Sequence, residues 1–219
     1  MHVRIAPDLD AELVLPPGQA AAPGVIVLHE WWGLNDEIRA LCGRLAAEGF
    51  VALGLDLYRG RSTSDPSRAR ELSDELQTRV SMRDVDQAVG YLKAHPRCSG
   101  KVGITGFCLG GALSLAAACN VGGLSAAVPF YGLPRAEHAD WSRVAIPIQM
   151  HFGLRDPIAT VARAEAARDA LEAAGKDVTL HLYDAGHAFM RESDPSAYDE
   201  AAAKAAWERM LSFLRSKLS

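Results

Sequence analysis

Residues 101–118 read KVGITGFCLGGALSLAAA. The apolar run Val102-Gly103-Ile104-Thr105 suits a buried strand, and the small residues from Leu109 to Ala118 suit a closely packed helix. Only Gly106-Phe107-Cys108 lies between them, so the chain must turn sharply at Cys108. Glycines two before and two after that residue remove side chains that the turn would otherwise push together. Such a turn holds its central side chain out at the end of a sheet, on the strained backbone of a nucleophile elbow. Serine is the usual centre of the Gly-x-Ser-x-Gly pattern; here the centre is a thiol. At a helix N-terminus the Leu109 N–H can donate to a developing oxyanion, and the helix dipole favours negative charge.

On either side of this turn, strand-like and helix-like stretches alternate. Val25–Leu28 is an apolar run typical of a strand buried on both faces. Asn35 can cap a helix running through Glu48, with Ile38, Leu41 and Leu45 at helical spacing and Gly49 as its stop. Phe50–Leu55 reads as the next strand, and residues 66–95 as one or two helices broken near Ser81 and ended by His95-Pro96. Strands are then expected at Lys101–Thr105, Ser125–Phe130, Ile148–Phe152 and Val178–Tyr183, with helices at Leu109–Cys119, Ala159–Ala174 and Tyr198–Leu218. This alternation predicts an α/β fold with a mostly parallel sheet and helices on both faces, as one domain over residues 1–219. Ligands in such sheets collect at the carboxyl ends of strands. The residues just beyond those ends include Glu30, Cys108, Asp156 and His187.

A thiol nucleophile needs a base, and the base needs an orienting acid. Asp156, in Gly153-Leu154-Arg155-Asp156-Pro157, and His187, in Ala185-Gly186-His187-Ala188-Phe189, each follow a strand. The chain order nucleophile, acid, histidine is the order of α/β-hydrolases. The remaining strand end is Leu28-His29-Glu30-Trp31-Trp32-Gly33. His29-Glu30 does not complete a zinc helix, because Gly33 stands where the second histidine would be. Trp31 N–H is the candidate second oxyanion donor, since the loop after this strand supplies it. A carboxylate at Glu30 would disfavour a second negative charge beside it.

Composition narrows the choice further. With 49% apolar and 23% charged residues, the chain has the balance of a soluble globular protein. A net charge of −4 without basic runs argues against nucleic acid or anionic membrane as a partner. No apolar segment reaches membrane-spanning length, and the first residues do not read as a secretory leader. Cys42, Cys98, Cys108 and Cys119 form no C-x-x-C pair, so free thiols and a cytoplasmic location are expected. Seven histidines without ligand spacing predict no metal, and no cofactor is expected. His151 and His181 read as core or sheet-edge residues.

Six stretches together resemble the dienelactone hydrolase (carboxymethylenebutenolidase) family: LHEWWGLN at 28–35, DLY at 56–58, KVGITGFCLGGAL at 101–113, FYG at 130–132, GLRDP at 153–157 and AGHAFMR at 185–191. The resemblance implies an α/β-hydrolase fold and a Cys108–His187–Asp156 triad that passes through an acyl-enzyme. It implies that Glu30 contacts the resting thiol and helps deprotonate it when substrate binds. It also implies that arginines hold a substrate carboxylate. Arg191 stands where one is expected, while Arg70, or alternatively Arg68, falls in the region of the other. No tyrosine lies between Tyr58 and Tyr91, so the family's substrate-binding tyrosine has no counterpart, which bears on dienelactone as the substrate. Trp31 and Trp32 could line an apolar pocket. The expected partner is a small ester or lactone, acted on by a monomer. A general carboxylesterase or thioesterase, and a non-catalytic binding protein on the same fold, are the alternatives.

Overall fold

A computed structural model describes residues 1–219. Eight strands form one sheet: β1 (His2–Ala6), β2 (Leu9–Val14), β3 (Ala22–Leu28), β4 (Val51–Leu55), β5 (Cys98–Phe107), β6 (Ala126–Phe130), β7 (Ile148–Gly153) and β8 (Val178–Tyr183). Their order across the sheet is β1-β2-β4-β3-β5-β6-β7-β8. From β4 onward all neighbours are parallel; β2 alone meets both of its neighbours antiparallel. The helices are α1 (Asp36–Ala47), α2 (Pro66–Glu75), α3 (Thr78–Ala94), α4 (Leu109–Asn120), α5 (Val161–Ala173) and α6 (Glu200–Leu218). None is long and apolar enough to cross a membrane.

Alternation along the strands explains the two cores. In β3, Ile26 and Leu28 face one side, where Val85 and Leu92 of α3, Leu113 of α4 and Leu171 of α5 pack. Val25 and Val27 face the other, against Ile38 and Leu45 of α1 and Trp207 and Met210 of α6. The strand is therefore apolar at every position from Val25 to Leu28, as a strand covered on both faces must be. Asn35 caps α1 by accepting from the Ile38 N–H at 3.1 Å.

Two features depart from the expectations. The first fourteen residues, for which no strand is expected above, form the β1–β2 hairpin at the sheet edge, with Leu9, Ala11 and Leu13 buried and Asp10 and Glu12 less so. The break between α2 and α3 falls at Leu76–Gln77, not near Ser81. Ser81 is buried inside α3 and its hydroxyl donates back to the Gln77 carbonyl at 3.3 Å, so a residue that reads as a breaker is accommodated in the helix. Leu76 instead leaves the helix in an extended conformation and packs against the core.

Candidate active site

Cys108 sits between β5 and α4 at φ 52°, ψ −111°, a conformation that costs a non-glycine residue free energy. The surroundings impose it. The Cys108 N–H is held by the Phe130 carbonyl at 3.1 Å, and its own carbonyl accepts from Ala112 at 3.0 Å. The flanking glycines allow the close packing. A Cβ on Gly106 would lie 2.2 Å from the Gly110 carbonyl oxygen, and one on Gly110 would lie 2.3 Å from that of Leu28. β3, β5 and α4 meet backbone to backbone here, and the half-buried thiol is left at the carboxyl end of the sheet.

His187 and Asp156 arrive from the loops after β8 and β7. The Cys108 Sγ lies 3.1 Å from His187 Nε2, and His187 Nδ1 lies 2.7 Å from Asp156 Oδ2. The other Asp156 oxygen accepts from the amides of Ile158 at 2.7 Å and Ala159 at 2.9 Å. With both oxygens engaged, the carboxylate cannot swing away from the ring. Burial works against its ionisation, but the His187 partner and the two amides outweigh it and hold the carboxyl below its usual range. For His187, burial pulls the pKa down, yet the hydrogen bonds to Asp156 and Cys108 win and raise it to about 10. The structure thus brings together, as one hydrogen-bonded chain, three residues that lie 31 and 79 positions apart in sequence.

Glu30 is buried at the end of β3. Burial pushes its carboxyl up to about 7, partly offset by the nearby Arg191. Oε2 stands 3.7 Å from the Arg191 guanidinium, and Oε1 has no hydrogen-bond partner. The thiol faces His187 and makes no hydrogen bond to Glu30. Neither the Leu109 nor the Trp31 N–H donates to a protein acceptor, which leaves both free for a ligand. Trp32 packs edge-on against Trp31 at 4.9 Å, and the Arg191 guanidinium lies 5.2 Å over the Trp32 ring. Arg191 is also tied to Asp194. Arg68 pairs with Glu71 at 2.6 Å, and Arg70 is exposed without a polar partner. Neither borders the clefts lined by Glu30, Trp32 and Arg191.

Tyr131, within the FYG stretch, borders the site although the sequence reading gives it no role. It follows β6, is buried at φ 35°, and meets the His187 ring edge-on at 5.2 Å. Its place just beyond a strand is the available signal. Cys42, Cys98 and Cys119 are buried outside this constellation, and burial pushes Cys42 up to about 12 and Cys119 to about 11.

The strand order, the strained elbow and the linked thiol, imidazole and carboxylate define the α/β-hydrolase class. The family model of the dienelactone hydrolase family matches residues 9–218. The chain belongs to that family, hydrolases of ester and lactone bonds. It is 35% identical over 206 residues to "Protein usf" of Aquifex pyrophilus, covering 90% of this chain and 89% of the relative. It is 32% identical over 213 residues to a carboxymethylenebutenolidase of Pseudomonas putida, covering 92% and 89%. Among solved structures, a dienelactone hydrolase-like promiscuous phosphotriesterase from metagenomic libraries superposes with a TM-score of 0.86 at 25% identity, covering 100% of this chain and 97% of that one.

Proposed function

We propose that this protein hydrolyses a small ester or lactone by covalent catalysis at Cys108. The observation that carries the reading is the continuous chain Cys108 Sγ, His187 Nε2, His187 Nδ1, Asp156 Oδ2, with links of 3.1 and 2.7 Å. His187, whose raised pKa favours the imidazolium, holds the proton of the Cys108 thiol as sulfur attacks the acyl carbon. Asp156 holds the ring in the tautomer that presents Nε2 to sulfur and stabilises the imidazolium that forms. The amides of Leu109 and Trp31 donate to the tetrahedral oxyanion. Collapse of the adduct expels the alkoxide or enolate, which receives the proton from His187, and a thioester to Cys108 remains. Water then attacks the thioester with its proton passing to His187. The acid leaves, and the thiol is restored.

The test is the initial rate on a dienelactone and on a short-chain p-nitrophenyl ester, for wild type and Cys108→Ala. Turnover by wild type that vanishes in the variant supports the reading. Turnover that survives the substitution, or wild type inert on both compounds, overturns it.

A second reading concerns the substrate. Arg191 is already engaged by Asp194 and Glu30, and neither Arg68 nor Arg70 borders the clefts. A substrate carboxylate would have to displace an existing ion pair. This favours a hydrolase of small neutral esters over one that demands a free carboxylate. Matched esters with and without a carboxylate separate the two: a strong preference for the acid restores the narrower dienelactone reading.

A further inference from the structure

His29 stands beside the site and takes no part in the triad chemistry. Its side chain is wholly buried, with its ring edge-on to Tyr58 at 4.7 Å. The Leu57 N–H donates to Nε2 at 3.3 Å, so Nε2 is an acceptor and carries no proton. A neutral imidazole then has its proton on Nδ1. That nitrogen lies 2.6 Å from the Glu30 carbonyl oxygen and donates to it. The Gly33 N–H is a second donor to the same oxygen, at 3.3 Å.

The Glu30 carbonyl shares one peptide unit with the Trp31 N–H. Peptide units are planar, and in a trans unit the C=O and N–H point in opposite directions. No cis bond occurs in the chain. Whatever fixes the Glu30 carbonyl therefore fixes the direction of the Trp31 N–H, which has no acceptor of its own in the protein. We propose that His29 is a positioning residue: bridging Leu57, just beyond β4, and the Glu30 carbonyl, it aims the Trp31 N–H at the oxyanion. This rests on the reading of Trp31 as an oxyanion donor. A histidine suits the task because one rigid ring carries an acceptor and a donor that reach two backbone segments at once. An aliphatic residue of similar volume would fill the space but leave the peptide free to rotate and both backbone groups unsatisfied.

Two substitutions separate aim from packing. An asparagine amide lies close to the place of Nδ1 and can still donate to the Glu30 carbonyl. A glutamine amide reaches toward Nε2 and serves Leu57 instead. We expect His29→Gln to lower kcat about 10- to 100-fold, a large part of what a lost oxyanion donor costs, with KM changed by less than about twofold. His29→Asn should keep at least about a third of kcat, as rescue by the retained donor. Alkylation of Cys108 by iodoacetamide needs the thiol and not the oxyanion donors, so its rate should stay within about twofold of wild type in both. Kcat in His29→Gln within about threefold of wild type, equal losses in the two variants, or alkylation falling in step with turnover would each overturn the proposal.

A readout independent of activity distinguishes this proposal from the one it rests on. Long-range proton–nitrogen correlation of the imidazoles should find His29 protonated at Nδ1. Protonation at Nε2 overturns the tether even if wild type turns over normally. Hydrolysis that survives Cys108→Ala overturns the catalytic reading, and with it the positioning role of His29, even with the expected tautomer.

Discussion

Two histidines, His151 and His187, lie in contrasting surroundings near the same sheet end. His151, on β7, is fully enclosed and stacked on Phe130 at 4.5 Å, with Nδ1 2.8 Å from the Tyr183 hydroxyl and Nε2 3.0 Å from the Gln149 side-chain oxygen. Burial, with the nearby His181 and Arg209, holds it well below the usual imidazole range. His187, on the loop beyond β8, is partly buried too, yet it is raised to about 10 because its partners are a carboxylate and a thiol. Enclosure lowers the pKa of one imidazole; a carboxylate on one nitrogen and a thiol on the other raise that of the second, as the proposed proton transfer requires. Depth lowers the one, and partner chemistry outweighs burial in the other.

The sharpest way to break this comparison is to replace each ring. His187→Gln should lower ester turnover by about 10³-fold or more, since base and proton donor are lost together. His151→Gln should leave turnover within about twofold and lower stability by about 1–3 kcal/mol, because Tyr183 and Gln149 lose a buried partner. Comparable losses of turnover in both would mean that the β7 imidazole belongs to the machinery.

Asp156→Asn comes next. It should keep KM but lower kcat by about 10²- to 10⁴-fold, because the amide cannot stabilise the imidazolium and favours the wrong tautomer. Unchanged kcat would point to another acid serving His187.

Stability against pH probes the same contrast. His187 rises from the ordinary 6.5 in the unfolded chain to about 10 when folded, so its contribution is complete below about 6.5 and is lost as pH climbs through about 10. Wild type should therefore lose thermal stability between these limits, and His187→Gln should be flatter. Parallel curves for the two proteins would remove the ion-pair account of His187.

Glu30 carries the smallest effect, with the sign worked out in the same way. Its folded value is raised from 4.5 to about 7, so the buried carboxyl is tolerated when protonated and costs stability increasingly as pH rises from about 4.5 to 7. Glu30→Gln should stabilise the protein above pH 7 by about 1–3 kcal/mol and change little near pH 4.5. A shift of equal size at both pH values would attribute the gain to packing. Because the thiol faces His187, the same substitution should change iodoacetamide alkylation of Cys108 by no more than a few-fold.

Much of the site was legible because its requirements are local. A tight strand-to-helix turn needs Gly106 and Gly110 whatever surrounds it, and Asp156 and His187 stand just past apolar runs that can only be strands. Tyr131 lies in the FYG stretch and just past an apolar run, but nothing local to it says that it meets the His187 ring. The β1–β2 hairpin carries a legible alternation in Leu9, Ala11 and Leu13; what only the fold decides is that β2 joins the sheet antiparallel beside β4. The helix break at Leu76 was not legible, because it depends on where that side chain finds the core.

Sequence by itself determined the parallel α/β architecture, the thiol at the strand-to-helix turn and the order in which Asp156 and His187 follow it, since each follows from periodicity, backbone sterics or chain order. Tertiary structure alone decided the partners. It set Arg191 between Glu30 and Asp194, left Arg68 and Arg70 outside, turned the thiol toward His187 and joined His29 to the backbone of Leu57. Hydrogen bonds and ion pairs act over a few ångströms, and residues tens of positions apart come within that range only after the sheet has formed.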